Sequence, residues 1–383
     1  MRTPVVGIGV LIIGLAIVSC DTGSGSSMDA AVKGWNVVGS SGFSEGGVDY
    51  FGITIDGNDV PHVVYLDKAN DNKATVMRFN GTIWETVGSP GFSDGGVWYT
   101  AIAFDSSNIP YVVFRDFAQT PNGATVMKFD GTNWQTVGGA GFSPGAVSYT
   151  KIAINSSDEL YVAFKDFDHE KDGATVMKFD GTDWQIVGAA GFSVDPVGSA
   201  SIAIDGSDTP YVVHNVSVDN KATAWRFDGN DWVIVGDPSF TDGAAAAPVI
   251  VLDSTDTPYV VCKDEGNDDS ASVYRLDGSD WENVGVSRHS SFAWAVGTPA
   301  MVLDSLNDPW VVFSDPLNPT FGPWKPVVMK REGAGWAIVG EEHFSEGNAR
   351  NLVIAVDSDD NPYVVFTDDA HGDRVTVMRY GYE

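Results

Sequence analysis

The stretch Ile102 to Gly138, IAFDSSNIPYVVFRDFAQTPNGATVMKFDGTNWQTVG, decides how this chain folds. It contains four short apolar runs: Ile102 to Phe104, Tyr111 to Phe114, Ala124 to Phe129 and Trp134 to Val137. They are rich in Val, Ile, Phe, Tyr and Thr, which suit a pleated, half-buried surface, and are predicted as four strands, A to D. Asp105, Ser106, Ser107, Asn108 and Pro110 supply a turn between A and B, and Asp130-Gly131 supplies one between C and D.

Copies of this unit fill nearly everything after residue 35. The Trp that opens strand D recurs at Trp35, Trp84, Trp134, Trp184, Trp232, Trp281 and Trp336, at intervals of 49, 50, 50, 48, 49 and 55 residues. A period in this range with four strands per period means blades set around an axis, not a sandwich or a solenoid. Strands A begin at Ile53, Ile102, Ile152, Ile202, Ile250, Met301 and Ile354. The expected fold is therefore all-β, a seven-bladed β-propeller of four-stranded blades. The last copy runs through its strand C, Val375 to Tyr380, whereas the first begins with an orphan strand D, Trp35 to Gly39. Pairing the two completes blade seven and removes two exposed sheet edges.

Residues 1–20 hold Arg2, an apolar run from Val5 to Val18, and Cys20. The run is shorter than the roughly 20 apolar residues of a spanning helix and has the layout of an export signal. Ile17-Val18-Ser19-Cys20 resembles a bacterial lipobox, which implies cleavage before Cys20 and lipidation of its thiol. The expected organisation is a signal peptide at 1–19, a lipidated Gly- and Ser-rich tether at 20–31 and the propeller at 32–383. Such a protein is exported and held at the cell membrane or outer membrane, facing the periplasm or the exterior. Cys262 takes a strand B slot filled elsewhere by Tyr65, Phe114, Phe164, Phe313 and Phe366, and is expected as a buried free thiol. The net charge of −30, from 22 Lys and Arg against 52 Asp and Glu, argues against nucleic acid and against anionic lipid surfaces. Membrane contact is then through the anchor alone, any charged partner is expected to be cationic or a metal ion, and a monomer is expected.

Repetition within one chain shows which positions every blade needs. A basic residue near the end of strand C occurs in all seven copies, Arg78, Lys128, Lys178, Arg226, Arg275, Lys330 and Arg379. An acidic residue ends strand A in six, Asp56, Asp105, Asp205, Asp253, Asp304 and Asp357, with Asn155 in the third. The two positions are expected to pair as a structural ring of salt bridges. A second Asp follows strand B at Asp67, Asp116, Asp166, Asp264, Asp315 and Asp368, and is expected to cap its loop through backbone N–H groups, with cation or sugar-hydroxyl binding as the alternative. Gly42-Phe43-Ser44-Glu45-Gly46, Gly91-Phe92-Ser93-Asp94-Gly95 and Gly141-Phe142-Ser143-Pro144-Gly145 match the G-x-S-x-G nucleophile elbow. That motif needs a strand before it and a helix after it, and here it lies between two strands, so the Phe is expected as a wedge between blades and no hydrolase is implied. The six His are scattered without zinc-type spacing, and no metal site is expected. The runs Asp357 to Asp360 and Asp264 to Asp269 lack the Gly and distal Glu of an EF-hand, so no cofactor is required and Ca²⁺ would be incidental.

The elements W-x-x-V-G, G-F-S, I-A-x-D, P-Y-V-V and A-T-V-M-K-F-D-G-T-x-W resemble the repeats of bacterial extracytoplasmic β-propellers of the kelch-like and fucose-lectin-like groups. The resemblance covers about residues 35 to 383 and implies architecture. Kelch repeats carry a Gly-Gly doublet after strand B, whereas Gly46-Gly47 and Gly95-Gly96 precede strand A here, so no site residues are carried over.

Complete repeats without an acid, base or metal constellation predict a non-catalytic binding module for a glycan or protein ligand. The alternatives are a carbohydrate-active enzyme, a lyase or a glycosidase using carboxylates on one face, and a structural spacer. Ligand contacts are expected where loops depart from the repeat. The blade-six loops carry Arg288, His289 and Trp294, and Phe321 with Trp324. Asp49, Tyr50, Trp98, Tyr99 and Arg350, at the entries of strands A, extend this candidate site towards the axis.

Overall fold

The computed structural model describes residues 33–168, 172–193, 195–216, 219–285, 297–316 and 322–382. They form seven four-stranded antiparallel sheets, each with its strands in the order A-B-C-D. In blade one these are Val48–Ile55, Pro61–Asp67, Lys73–Phe79 and Trp84–Thr86. Gly34–Val37 pairs with Arg374–Gly381, with Trp35 opposite Tyr380, and supplies the fourth strand of blade seven. Consecutive strands A pack against one another around the axis, so strand A is innermost and strand D outermost.

Strand A is longer than its sequence pattern suggests. In blade two it is Val97–Phe104, whereas alternation is readable only from Ile102. A β-bulge between Trp98 and Ala101 shifts the register, and equivalent bulges lie in blades one, three, four, five and seven. A bulge sets two residues against one and breaks the period-2 pattern that marks a strand.

The core is distributed between blades. Seven apolar clusters occur among the described residues, each shared by two neighbouring blades, from blades one and two (Val64, Val76, Val112, Phe114) round to blades seven and one (Val365, Val377, Val63, Tyr65). The repeat motifs explain how the blades lock. Every strand D Trp donates its indole N–H to the carbonyl of the Val in the preceding V-G, as in Trp84 to Val38 at 2.7 Å and Trp134 to Val87 at 2.8 Å. The contact that closes the ring is Trp35 to Val339 at 2.9 Å. Gly88 follows Val87 because a Cβ there would stand 3.1 Å from Trp134 Cδ1, and its φ of +75° suits glycine. The Phe of G-F-S stacks flat on the same Trp, Phe92 on Trp134 at 4.2 Å and Phe344 on Trp35 at 4.3 Å, which makes it the expected wedge. The following Ser is structural: Ser93 Oγ accepts from Ala74 N at 3.0 Å and donates to Gly95 O at 2.7 Å. Cys262 is fully buried as a free thiol, and burial holds it far above the usual thiol pKa.

The carboxylates after strand B are consumed as caps. Asp116 accepts from Ala118 N at 2.8 Å and from Thr125 Oγ1 at 2.9 Å, and Asp67 and Asp166 are held in the same way. The expected salt-bridge ring is corrected. Among the described residues the strand A Asp pairs with the strand C cation only as Asp304–Lys330 at 2.7 Å and Asp357–Arg379 at 3.4 Å. Most of these Asp close their own A–B turns, as Asp105 does by accepting from Ser107 N and Ile109 N, both at 2.9 Å. Four of the cations lie over the aromatic ring directly opposite in strand B, such as Lys178 over Tyr161 at 5.4 Å and Lys330 over Trp310 at 4.9 Å. Cross-strand register sets the cation over that ring, and three of the four also reach a carboxylate, Lys178 that of Glu159 at 2.7 Å in place of the missing strand A Asp.

A ring of hydrogen bonds does exist on this face. The backbone N–H at the tip of each A–B turn donates to an Asp or Asn of the next blade: Gly57 to Asn108, Ser106 to Asp158, Ser156 to Asp208, Gly206 to Asp256, Ser254 to Asn307, Ser305 to Asp360 and Ser358 to Asp59. The serine hydroxyl and amide hold the Asp59 and Asp158 carboxyls below their ordinary pKa. A carboxyl with a depressed folded pKa contributes stability above its unfolded value, about 3.9, and loses that contribution as pH falls through the folded value. The melting temperature is therefore expected to hold steady down to about pH 5 and to fall below about pH 4. Asp59→Asn with Asp158→Asn should flatten that fall, since Asn108 and Asn307 already occupy equivalent places. An unchanged acid slope in thermal melts of the double variant would refute this assignment.

Candidate functional site

In six blades the third residue of strand A lies near the inner end of the blade: Tyr50, Tyr99, Tyr149, Ser199, Ala247 and Asn351. In blade six, whose strand A begins only at Ala300, Thr298 precedes the strand and lines the same space. Three consecutive blades thus contribute Tyr and the others contribute small or polar residues, so one wall is aromatic. The position falls in the bulge. Tyr50, Tyr99, Tyr149, Ala247 and Asn351 all have positive φ, 44° to 56°, which costs a non-Gly residue on the order of 1 kcal/mol or more. The strain is held by the next blade: Thr100 Oγ1 donates to the Tyr50 carbonyl, and Thr150 Oγ1 to the Tyr99 carbonyl at 2.5 Å.

A cavity of about 530 Å³ results, lined by Asp49, Tyr50, Tyr99, Tyr149, Lys151, Thr298 and Asn351 among others. Tyr99 lies between Tyr50 and Tyr149, with ring centroids at 4.8 and 4.7 Å. Burial first, and then the adjoining Tyr99 phenol, raises the pKa of Tyr50 and Tyr149 above the usual phenol value. Lys151 projects into the channel, where solvent reaches it but protein surrounds it, and this desolvation lowers its ammonium pKa. Asp49 Oδ2 is paired with Lys68 Nζ at 2.8 Å.

The aromatic wall continues outward. Trp98 lies 5.7 Å from Tyr50, meets Tyr99 edge-on at 6.2 Å and meets Phe117 at 4.9 Å. Arg115 lies over Trp98 at 5.5 Å and over Phe117 at 5.0 Å, and Lys165 lies over Phe167 at 5.1 Å. Trp98, Phe117, Tyr149 and Phe167 are all 38% to 42% exposed, which sets an apolar ridge on blades two and three.

Of the residues expected from sequence, Asp49, Tyr50 and Tyr99 line the cavity and Trp98 adjoins it. Arg350 is exposed on the residue before Asn351. Trp324 is half-buried at the start of its strand, with its backbone N–H donating to Asn348 Oδ1 at 2.6 Å, and is not a lining residue. Arg288, His289, Trp294 and Phe321 lie outside the described residues. Tyr149, Lys151, Thr298 and Asn351 were not anticipated. Tyr149 was legible, because it holds the same repeat position as Tyr50 and Tyr99.

No protein-family model matches the sequence, and no curated protein matches it. Similarity to solved structures is extensive. A polysaccharide lyase, the PL25 ulvan lyase, superposes with a TM-score of 0.61 at 11% identity over 90% of this chain and 96% of that one. The same lyase bound to -[GlcA(1-4)Rha3S]- gives 0.60. AofleA from Arthrobotrys oligospora gives 0.50 at 12% identity over 83% of this chain and 93% of that one. The Aleuria aurantia lectin, a six-bladed propeller that recognises fucose, gives 0.49 at 16% identity over 74% and 90%. At these identities the likeness is one of fold, and this chain is a seven-bladed β-propeller.

Proposed function

We propose that the protein binds a saccharide at the tyrosine-lined mouth of its channel, and that it does so as an exported, lipid-anchored protein. The observation that carries the binding site is the run of Tyr50, Tyr99 and Tyr149 at one strained repeat position around a cavity of about 530 Å³. Sugar rings stack on aromatic faces, and phenols and the Thr298 and Asn351 side chains supply hydrogen bonds around the same space. The similarly folded ulvan lyase, itself a sugar-acting protein, supports this choice. The raised pKa of Tyr50 and Tyr149 favours the protonated phenol, which can donate a hydrogen bond to a sugar oxygen. Among the described lining residues Asp49 is the only carboxylate, whereas a glycosidase needs two, about 5 to 9.5 Å apart.

Tyr99→Ala is expected to weaken glycan binding at least tenfold, about 1.4 kcal/mol, with little change in melting temperature, since the Thr150 contact is to the backbone. Titration calorimetry with the best ligand from a glycan array measures this, and unchanged affinity would remove the site. A second reading, a lyase, rests on the place of Lys151 in the cavity wall, where partial desolvation lowers its ammonium pKa in the direction a lysine general base needs. Ligand recovered intact after incubation supports binding alone, and unsaturated fragments would establish a lyase. The anchor rests on Cys20. Radioactive fatty acid should label the native protein and not Cys20→Ala, and an unlabelled native protein would exclude lipidation.

A further inference from the structure

Carboxylates outnumber cations 52 to 22 in this chain, yet two cations at the tyrosine wall have no ion pair with a carboxylate among the described residues. The first is Lys151, inside the cavity, whose pKa is moved by burial and by no neighbouring charge. The second is Arg115, whose guanidinium lies against Trp98 and Phe117, donates from Nη1 to Ser148 Oγ at 3.3 Å, and has a buried Nε without a hydrogen-bond partner. The equivalent cations of other blades are neutralised: Lys165 pairs with Asp172 at 3.6 Å and Lys263 with Asp269 at 3.5 Å. In blade two, Asn122 stands at the place of Asp172, six residues after the strand B aspartate, so the repeat's own counter-ion is missing where Arg115 needs it.

Both cations are placed by strand A of blade three, Lys151 in the cavity and Arg115 against the aromatic ridge beside it. Within Val147–Ile154, Ser148 holds Arg115, Tyr149 packs on Tyr99, and Lys151 enters the cavity. Solvent reaches Lys151 while protein crowds it, so its ammonium is partly desolvated, and a bound anion supplies the counter-charge that no described carboxylate does. A guanidinium stacked on aromatic rings still presents its edge as a fork for a carboxylate or a sulfate.

Building on the saccharide function above, we infer that the ligand is an acidic saccharide: its ring stacks on the Tyr99 and Trp98 wall while its carboxylate or sulfate ester is met by Lys151 and Arg115. The overall charge of −30 suggests a cationic partner, but net charge acts at long range and is screened beyond roughly 8 to 10 Å, whereas these two groups act at contact.

The test is titration of the full chain with paired probes: oligogalacturonides against their carboxyl-reduced counterparts, and dextran sulfate oligosaccharides against dextran, extended to array glycans that exist in acidic and neutral forms. An acidic form bound at least tenfold more tightly than its neutral form, with the gap narrowed in both Lys151→Met and Arg115→Met, is the expected result. Arg115→Lys should restore part of it, and melting curves verify that each variant folds. Binding confined to the uronate arm or to the sulfate arm supports the proposal and identifies the anion. Neutral forms bound as tightly as acidic ones, still dependent on Tyr99, would overturn the acidic inference and leave saccharide binding standing. Acidic glycans bound equally by wild type, Lys151→Met and Arg115→Met would also overturn it. Absence of binding to every glycan would remove the saccharide function itself, and this inference with it.

Discussion

Trp134→Ala is expected to lower stability by about 3 to 5 kcal/mol, the range for a large aromatic removed from a core. Trp134 is 8% exposed, stacks on Phe92 at 4.2 Å, meets Phe129 at 5.6 Å and fills the cluster between blades one and two. Its indole also satisfies the Val87 carbonyl, so truncation leaves both a void and a lost hydrogen bond. Trp134→Phe retains most of the apolar surface and removes the donor, and should cost about 1 kcal/mol or somewhat more. Chemical denaturation of the three proteins measures both values. A loss below about 1 kcal/mol for the alanine variant would show that the blade interfaces do not depend on this contact.

Deleting residues 1–39 is expected to have a still larger effect, because it removes the strand that completes blade seven. Gly34–Val37 pairs with Arg374–Gly381, Trp35 stacks on Phe344 and lies 5.5 Å from Tyr380, and Trp35 Nε1 bonds to Val339 O. Without them Arg374–Gly381 becomes an unprotected edge strand, which invites pairing with a second molecule. A sharply lower unfolding midpoint and association in light scattering are the expected outcomes. A circular permutant that joins Glu383 to Lys33 should recover both, since Gly381 and Gly34 are already opposite each other in register and need only a short turn. A truncated protein that remained monomeric with an unchanged midpoint would show that the ring does not rely on this closure.

Sequence and structure agree most closely where a residue has the same neighbours in every blade. The Trp of strand D, the V-G before it and the Phe of G-F-S recur because each meets the others across a blade interface, and one copy of the motif reports on all. The caps at Asp67, Asp116 and Asp166 were readable for a similar reason: they bind backbone within a few residues of themselves. The proposed salt-bridge ring failed because it assumed that charges at the same end of a blade meet. The Asp instead turn back on their own A–B loops, as Asp105 and Asp253 do, and Arg275 lies over Tyr259.

Blade number, strand order and closure were determined by the sequence alone, since a period of about 50 residues with four strands each has few ways to bury its faces. Only the tertiary structure decided the site. Tyr50, Tyr99 and Tyr149 are about 50 residues apart, and bulges that sequence alternation hides turn them onto one wall. Arg115 belongs to blade two and is tied to blade three, the blade of Lys151, only because neighbouring blades pack so that Ser148 receives it. Local propensity and periodicity act over a few residues, whereas this cavity is made by ring closure, which no single repeat contains.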